Sequence, residues 1–95
     1  MYIVYRIFNK TTNEYYISYS NKSLPEILNK KLYEYLTNKR WHVCFLLFRE
    51  DYENLGIEKL TTFFECQQSC ISFIKIYEYY NGGCINYREN PNLFI

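Results

Sequence analysis

The stretch that decides the fold is residues 2–19, which read YIVYRIFNKTTNEYYISY. Both ends of this stretch are rich in β-branched and aromatic residues, which favour strands, and residues 9–13 between them are turn formers. Two short strands around one polar turn predict an N-terminal β-hairpin, with strands over residues 2–8 and 14–19.

Two helices are predicted after the hairpin. Ser23 and Glu26 form a capping box and Pro25 occupies the first turn, where its missing N–H costs nothing. The apolar residues that follow recur at three- and four-residue spacing and predict an amphipathic helix ending near Asn38; they are Leu24, Ile27, Leu28, Leu32, Tyr35 and Leu36. A second helix is predicted over residues 67–80, and glycine in the following Asn81-Gly82-Gly83 is expected to supply a left-handed cap.

The segment between the helices is harder to assign. The apolar run of residues 41–48 predicts a third strand, central in the sheet. Residues 49–56 are expected to form a loop with at most one helical turn, and residues 57–65 fit either a strand or the start of a helix. A short extended piece over residues 84–87 leads into a loose tail at residues 90–92. The predicted fold class is α+β, a small three-stranded and mainly antiparallel sheet with an N-terminal β-hairpin, flanked by two or three helices in one domain over residues 1–95.

Composition limits the classes of function. Of 95 residues, 48% are hydrophobic and 22% are charged, which indicates a folded domain. The net charge of +1 excludes a strongly cationic nucleic-acid binder but leaves room for a local basic patch. The longest apolar run, residues 43–48, is far shorter than the roughly 20 residues that a membrane-spanning helix needs. The first residues lack the pattern of a signal peptide, so we expect an intracellular, cytoplasmic protein with no membrane partner.

The four cysteines are expected to be reduced thiols in that compartment. They lack the Cys-x-x-Cys spacing of a zinc site, and the chain has one histidine, His42. The sequence therefore predicts no metal site built from cysteine and histidine. The chain also lacks alanine and is rich in asparagine and isoleucine, a bias that favours an AT-rich genome such as that of a virus or a mobile element.

Two tyrosine motifs lie on the predicted hairpin. The first strand carries Ile3-Val4-Tyr5, the second carries Tyr16-Ile17-Ser18, and the two motif tyrosines are eleven positions apart. Gly83-Cys84-Ile85-Asn86 follows the second helix. This pattern resembles the GIY-YIG endonuclease family. The resemblance implies phosphodiester hydrolysis, in which a tyrosine helps to activate water, a helix arginine stabilises phosphate charge and a glutamate on a later helix holds one divalent metal.

The resemblance implies catalytic roles, if the chain is active, for Tyr5, Tyr16, Lys31 and Asn86. The position of the family arginine holds Glu26, so Lys30 or Lys31 would have to replace it with a point charge. The motif glycines are replaced by Ile3 and Ser18.

The metal ligand is the sharper departure from the family. Residues 71–75, where the resemblance places the glutamate, read Ile-Ser-Phe-Ile-Lys. Glu65 lies too far back in the sequence and Glu78 too close to the end of the helix. Mg²⁺ binds through carboxylates and water, so the sequence predicts a degenerate scaffold without a cofactor, or with Mg²⁺ if Glu65 or Glu78 has been recruited.

Two further clusters are candidates for binding. The basic cluster of the chain is either a solvated helix face or a nucleic-acid contact; it comprises Lys30, Lys31, Lys39 and Arg40. Four tyrosines near the C-terminal turn are either core residues or anchors of a protein interface; they are Tyr77, Tyr79, Tyr80 and Tyr87.

Three hypotheses about function follow. The first is a non-catalytic binding protein on a degenerate GIY-YIG-like scaffold, encoded by a virus or mobile element and directed at a host or phage protein. The second is a metal-dependent endonuclease that cleaves DNA, and the third is a nucleic-acid binder without cleavage. A homodimer through an exposed edge strand is an additional alternative.

Overall fold

The computed structural model describes residues 1–37, 41–63 and 65–89. The elements in chain order are β1 (Tyr2–Asn9), β2 (Tyr15–Ser20), α1 (Leu24–Thr37), α2 (Phe45–Asp51), a 3₁₀ turn (Tyr52–Asn54), β3 (Leu55–Phe63) and α3 (Gln67–Tyr80). The three strands form one antiparallel sheet in the order β2-β1-β3. The predicted α+β class, with a three-stranded antiparallel sheet, an N-terminal hairpin and three helices, is confirmed.

The hairpin is held by a buried asparagine at its turn. β1 and β2 pair from Ile3 opposite Ser20 to Phe8 opposite Tyr15. The side chain of Asn9 is 1% exposed, and its Oδ1 accepts the backbone N–H groups of residues 11 and 12 at 2.8 and 3.1 Å. Its Nδ2 donates to the carbonyl of Leu47 at 3.1 Å. Asn9 therefore closes the turn and joins it to α2.

The prediction of a strand over residues 41–48 is wrong, because this run leads into α2. The backbone N–H of Cys44 donates to His42 Nδ1 at 3.1 Å and that of Phe45 donates to the His42 carbonyl at 3.0 Å, which forms the turn that starts the helix. Phe45, Leu47 and Phe48 are all buried, and a short helix covered on several sides has the same continuous apolar pattern as a central strand. The third strand is β3, at the edge of the sheet, and the central strand is β1.

The first helix confirms the predicted capping box. The Glu26 N–H donates to Ser23 Oγ at 3.4 Å, and the Ser23 hydroxyl donates to the Glu26 carboxylate at 2.9 Å. Ile27 is buried, whereas Leu36 is 64% exposed, so the buried stripe of α1 ends earlier than the sequence predicted. Neither of the two longest described helices, at 14 residues each, has the length and apolar character that a bilayer crossing requires.

The sheet separates two hydrophobic cores. α1 and α2 cover the face that carries Tyr5 and Ile7, while α3 covers the face that carries Val4 and Ile17. Successive residues of a strand point to opposite faces, so Tyr5 and Val4 must belong to different cores. The position of each helix is thereby fixed relative to the hairpin tyrosines.

The C-terminal end of α3 differs from the predicted glycine cap. The residue that ends the helix, Asn81, has an extended backbone (φ −129°, ψ 117°), and the positive φ, 92°, occurs at Gly83. A Cβ atom at Gly83 would lie 2.9 Å from the Asn13 carbonyl oxygen. The prediction of a left-handed cap at the helix end is therefore wrong, and the glycine is required by the close approach to the hairpin.

The segment after Gly83 joins the edge of β2. The Tyr15 N–H donates to the Gly83 carbonyl and the Ile85 N–H donates to the Tyr15 carbonyl, both at 2.9 Å, in a parallel bridge between Tyr15 and Cys84. The predicted extended piece is thus a short bridge that gives way to a turn at residues 86 and 87. The predicted tail at residues 90–92 lies outside the described residues.

Candidate functional site

A cleft of about 630 Å³ lies between β2 and α1 and contains both motif tyrosines. Because Tyr5 pairs with Ser18 across β1 and β2, the side chains of Tyr5, Tyr16 and Ser18 reach the same face of the sheet. We call this site the tyrosine–lysine cleft; the side chains that matter for its chemistry are Tyr5, Tyr16, Ser18, Ser20, Lys22, Glu26, Asn29, Lys30 and Lys31.

The two tyrosines of the cleft are neutral hydrogen-bonding groups. Tyr5 is 4% exposed, and burial raises its pKa far above the ordinary value of 10.0, with a further increase from the neighbouring Tyr16. Burial also raises the pKa of Tyr16, while hydrogen bonding by Ser18 acts in the opposite direction on both phenols. Both phenols therefore stay protonated at neutral pH, where each hydroxyl is able to donate a hydrogen bond.

The charged side chains give the cleft a positive balance. Its lining residues include three lysines, Lys22, Lys30 and Lys31, and one acidic residue, Glu26. The Glu26 carboxylate accepts the Ser23 hydroxyl in the helix cap. A second, smaller cleft of about 350 Å³ shares Lys30 and Lys31 with the first. The resulting surface favours anionic groups over cationic ones.

The smaller cleft adds aromatic and imidazole groups. Its lining includes Trp41, His42 and Glu34 in addition to the two shared lysines. The rings of Tyr16 and His42 meet edge to face, with centroids 5.1 Å apart, so the two clefts are in contact through these rings. Lys31 forms a long ion pair of 3.9 Å with Glu34.

The two glutamates that the sequence offered in place of a GIY-YIG metal ligand, Glu65 and Glu78, lie away from this cleft. Glu78 belongs to α3, on the opposite face of the sheet from Tyr5 and Tyr16, and accepts the Tyr87 hydroxyl at 3.1 Å. Glu65 is exposed and precedes α3. In the part of the chain that the structure describes, no three His, Cys, Asp or Glu side chains group together in a way that could hold a metal ion.

Asn86 holds the chain together at the edge of β2. Its Nδ2 donates to the Ile17 carbonyl at 2.6 Å, and its Oδ1 accepts the Ile17 N–H at 2.9 Å. Both ends of the amide are therefore bonded to the backbone of β2, in the manner of a further strand. The structure brings Tyr5, Tyr16 and Lys31 together in the cleft, whereas the amide of Asn86 is used for structure.

The remaining predicted binding residues divide between surface and core. Tyr79, Tyr80 and Tyr87 are exposed, while Tyr77 packs edge to face against Tyr15 with ring centroids 5.6 Å apart. Lys30 and Lys31 line both clefts. Lys39 and Arg40, which complete the predicted basic cluster, lie outside the described residues.

Lys22 also lines the cleft, although the sequence did not single it out as a candidate binding residue. It follows β2 in a turn where its N–H donates to Ser20 Oγ at 3.0 Å, and this turn places it in the cleft lining. The only indication in the sequence was its position, since Lys22 lies between the second predicted strand and the first predicted helix.

Comparison of this chain with protein-family models, with curated proteins and with solved structures finds no match.

Proposed function

We propose that this chain is a non-catalytic binding protein on a GIY-YIG-like scaffold, and that the tyrosine–lysine cleft receives an acidic segment of a partner protein. The observation that carries the proposal is that the sheet lies between the two cleft tyrosines and α3, the helix from which the resemblance would draw a metal-binding glutamate. Glu78, the one acidic residue in the α3 sequence, is on the far side of that sheet from Tyr5 and Tyr16.

The chemistry of the cleft favours binding over hydrolysis. A metal-dependent phosphodiesterase needs a carboxylate that can hold the ion beside the reacting groups. In the lining of this cleft that group is Glu26, which accepts a hydrogen bond within the cap of α1. Burial raises the pKa of Tyr5 and of Tyr16, so almost no phenolate is present at neutral pH to accept a proton from water. What the cleft offers is donors and positive charge.

Those donors fit carboxylates. Ammonium groups and phenol or serine hydroxyls all donate to carboxylate oxygens, and charge-assisted bonds of this kind are roughly twice as strong as neutral ones. The net charge of the whole chain is +1, so recognition rests on the local groups of the cleft and not on a long-range field. A short acidic peptide segment makes a few such contacts and does not need the extended positive surface that a duplex requires.

A second candidate function is nucleic-acid binding without cleavage. It is favoured by Trp41, which lines the smaller cleft beside Lys30 and Lys31. An aromatic ring next to two cations is the combination that binds single-stranded nucleic acid, because a base stacks on the ring while phosphates contact the lysines.

The test measures the binding of fluorescently labelled ligands by anisotropy. The ligands are a Glu- and Asp-rich peptide, a neutral peptide of equal length and a single-stranded oligonucleotide. We expect the acidic peptide to bind, and Lys22→Gln or Lys30→Gln to weaken that binding about three- to tenfold each. Lys59→Gln is the matched control, because Lys59 is exposed on β3 and does not line the cleft.

Each alternative outcome has a defined meaning. Binding of the oligonucleotide but not the peptide, with the same lysine dependence, would favour the second candidate. Absence of binding by every ligand would remove the cleft from consideration as an anion site. Nicking of plasmid DNA that requires Mg²⁺ and is lost in Tyr5→Phe would show that the protein is an endonuclease and that the proposal is wrong.

A further inference from the structure

The outer edge of β2, the side that faces away from β1, is covered over part of its length. The backbone N–H and carbonyl of Tyr15 bond to Gly83 and Ile85, and those of Ile17 bond to the Asn86 amide. In an antiparallel pair, every second residue points its backbone groups away from the partner strand. Tyr19 comes two residues after Ile17 in β2, so its N–H and carbonyl also point outward.

The outward-pointing backbone of Tyr19 is open. Within residues 1–37, 41–63 and 65–89, no group bonds its N–H or its carbonyl. The segment that covers Tyr15 and Ile17 turns away before it reaches Tyr19, since the Arg88 N–H donates to the Ile85 carbonyl and the Arg88 guanidinium pairs with Glu14. An edge with free donors and acceptors is a template for an added strand.

This open edge borders the tyrosine–lysine cleft. Tyr19 lines the cleft, although its ring packs edge to face against Tyr2 in the core on the α3 side, with centroids 5.9 Å apart. The backbone of Tyr19 is therefore the part that borders the cleft. Its neighbours Ser18 and Ser20 point to the cleft face, as alternation along the strand requires. A strand added at Tyr19 thus runs along one wall of the cleft.

We propose that the acidic segment of the partner binds as an extended strand hydrogen-bonded to Tyr19, and that its acidic residues occupy alternate positions. This inference rests on the proposed function, which supplies the acidic segment. The partner residue beside Tyr19 shares the face of the Tyr19 ring, so the residues before and after it both point to the cleft face. The recognised chemistry is therefore acidic–X–acidic, where X is an uncharged residue beside the rings of Tyr2 and Tyr19.

Charge complementarity selects the residues on either side of X. On the cleft face an added strand meets three lysines and one glutamate, which are Lys22, Lys30, Lys31 and Glu26. Two residues that flank X on a strand are roughly 6–7 Å apart on the same face, so both carboxylates reach this positive surface. An acidic helix could not bind in the same way, because its backbone N–H groups are bonded within the helix and cannot donate to the Tyr19 carbonyl.

The first test varies the peptide in the anisotropy assay. Two peptides have the same composition, one with glutamates on either side of X and one with the two glutamates adjacent. The alternate peptide should bind at least about threefold more tightly, because adjacent residues of a strand point to opposite faces. In an added strand the N–H groups point alternately towards β2 and away from it. Single N-methyl groups at successive positions should therefore alternate between weakening binding about three- to tenfold and leaving it unchanged.

The second test follows Tyr19 itself. By NMR, the Tyr19 amide of the free protein should exchange at least about tenfold faster than that of Ile17, and saturating peptide should slow it at least about tenfold. Tyr19→Pro removes the N–H at an edge position that tolerates proline, and Tyr19→Thr is the matched control, because both lack the ring. The proline variant should bind the alternate peptide about three- to tenfold more weakly than the threonine variant. Circular dichroism verifies that both fold.

The possible failures can be told apart. If no acidic peptide binds, the proposed function fails and this inference fails with it. If acidic peptides bind but neither glutamate spacing nor N-methylation matters, the inference is overturned and the proposed function stands. A Tyr19 amide that already exchanges as slowly as that of Ile17 in the free protein would show that the chain itself covers this edge, which would also overturn the inference.

Discussion

The amide of Asn86 offers the most decisive test of how the segment after Gly83 is attached to β2. In Asn86→Ala, the Ile17 N–H and carbonyl both lose the partners that they have at 2.9 and 2.6 Å. An unsatisfied backbone group costs about 1–3 kcal/mol, and we take the low end for each of the two because Asn86 is only half-buried and water can reach the site. The free energy of unfolding should therefore fall by about 2 kcal/mol.

The assay is thermal and urea unfolding followed by circular dichroism. For a domain of this size, 2 kcal/mol corresponds to a decrease in Tm of roughly 8–16 °C. Asn29→Ala is the matched control, because Asn29 is exposed in the middle of α1, where alanine is a better helix former than asparagine. A Tm for Asn86→Ala within about 2 °C of the wild type would refute the reasoning.

A second variant at the same position separates the two hydrogen bonds. Asn86→Asp keeps the acceptor for the Ile17 N–H but sets a carboxylate against the Ile17 carbonyl. A protonated carboxyl can donate to that carbonyl, so the loss of stability relative to wild type should be larger at neutral pH than near pH 4. An equal loss at both pH values would show that the Asn86 Nδ2 bond contributes little.

Three further predictions concern stability and charge. Gly83→Ala should lower the free energy of unfolding by about 1–3 kcal/mol, because Gly83 has a φ of 92° and an added Cβ would collide with the hairpin backbone. Gly82→Ala is the control and should change the free energy of unfolding little, since no atom lies within 4 Å of its Cβ. Urea unfolding compares the two variants. Burial raises the pKa of Tyr15 to about 12, whereas the same phenol in the unfolded chain ionises near pH 10. The stability that this difference contributes should be fully present below pH 10 and should be lost as the pH rises to about 12. In Tyr15→Phe, unfolding curves recorded across this pH range should no longer show that part of the pH dependence. Glu26→Gln should strengthen binding of the acidic peptide a few-fold in the anisotropy assay, because it removes a negative charge from the cleft lining. Unchanged or weaker binding would contradict the proposal that the cleft binds acidic segments.

The elements that the sequence predicted correctly are those with local signals. The hairpin is marked by a polar turn between two β-rich runs, and α1 by the Ser23–Glu26 capping box, so neither depends on distant contacts. α2 was mistaken for a strand because burial on several sides removes the periodicity that distinguishes the two. The sequence did not decide between a strand and the start of a helix for residues 57–65, because an edge strand with Glu58 and Lys59 has no continuous apolar pattern.

The site was predicted in part for the same physical reasons. The resemblance of the two hairpin motifs to the GIY-YIG family was sufficient to pair Tyr5 with Tyr16, and the predicted first helix already carried Lys30 and Lys31. Sequence spacing alone could not show which face of the sheet α3 would cover. Because α3 packs on the face opposite Tyr5 and Tyr16, Glu78 is separated from both tyrosines. The number of residues between motif positions could not by itself show that Glu78 is too remote to hold a metal ion beside them.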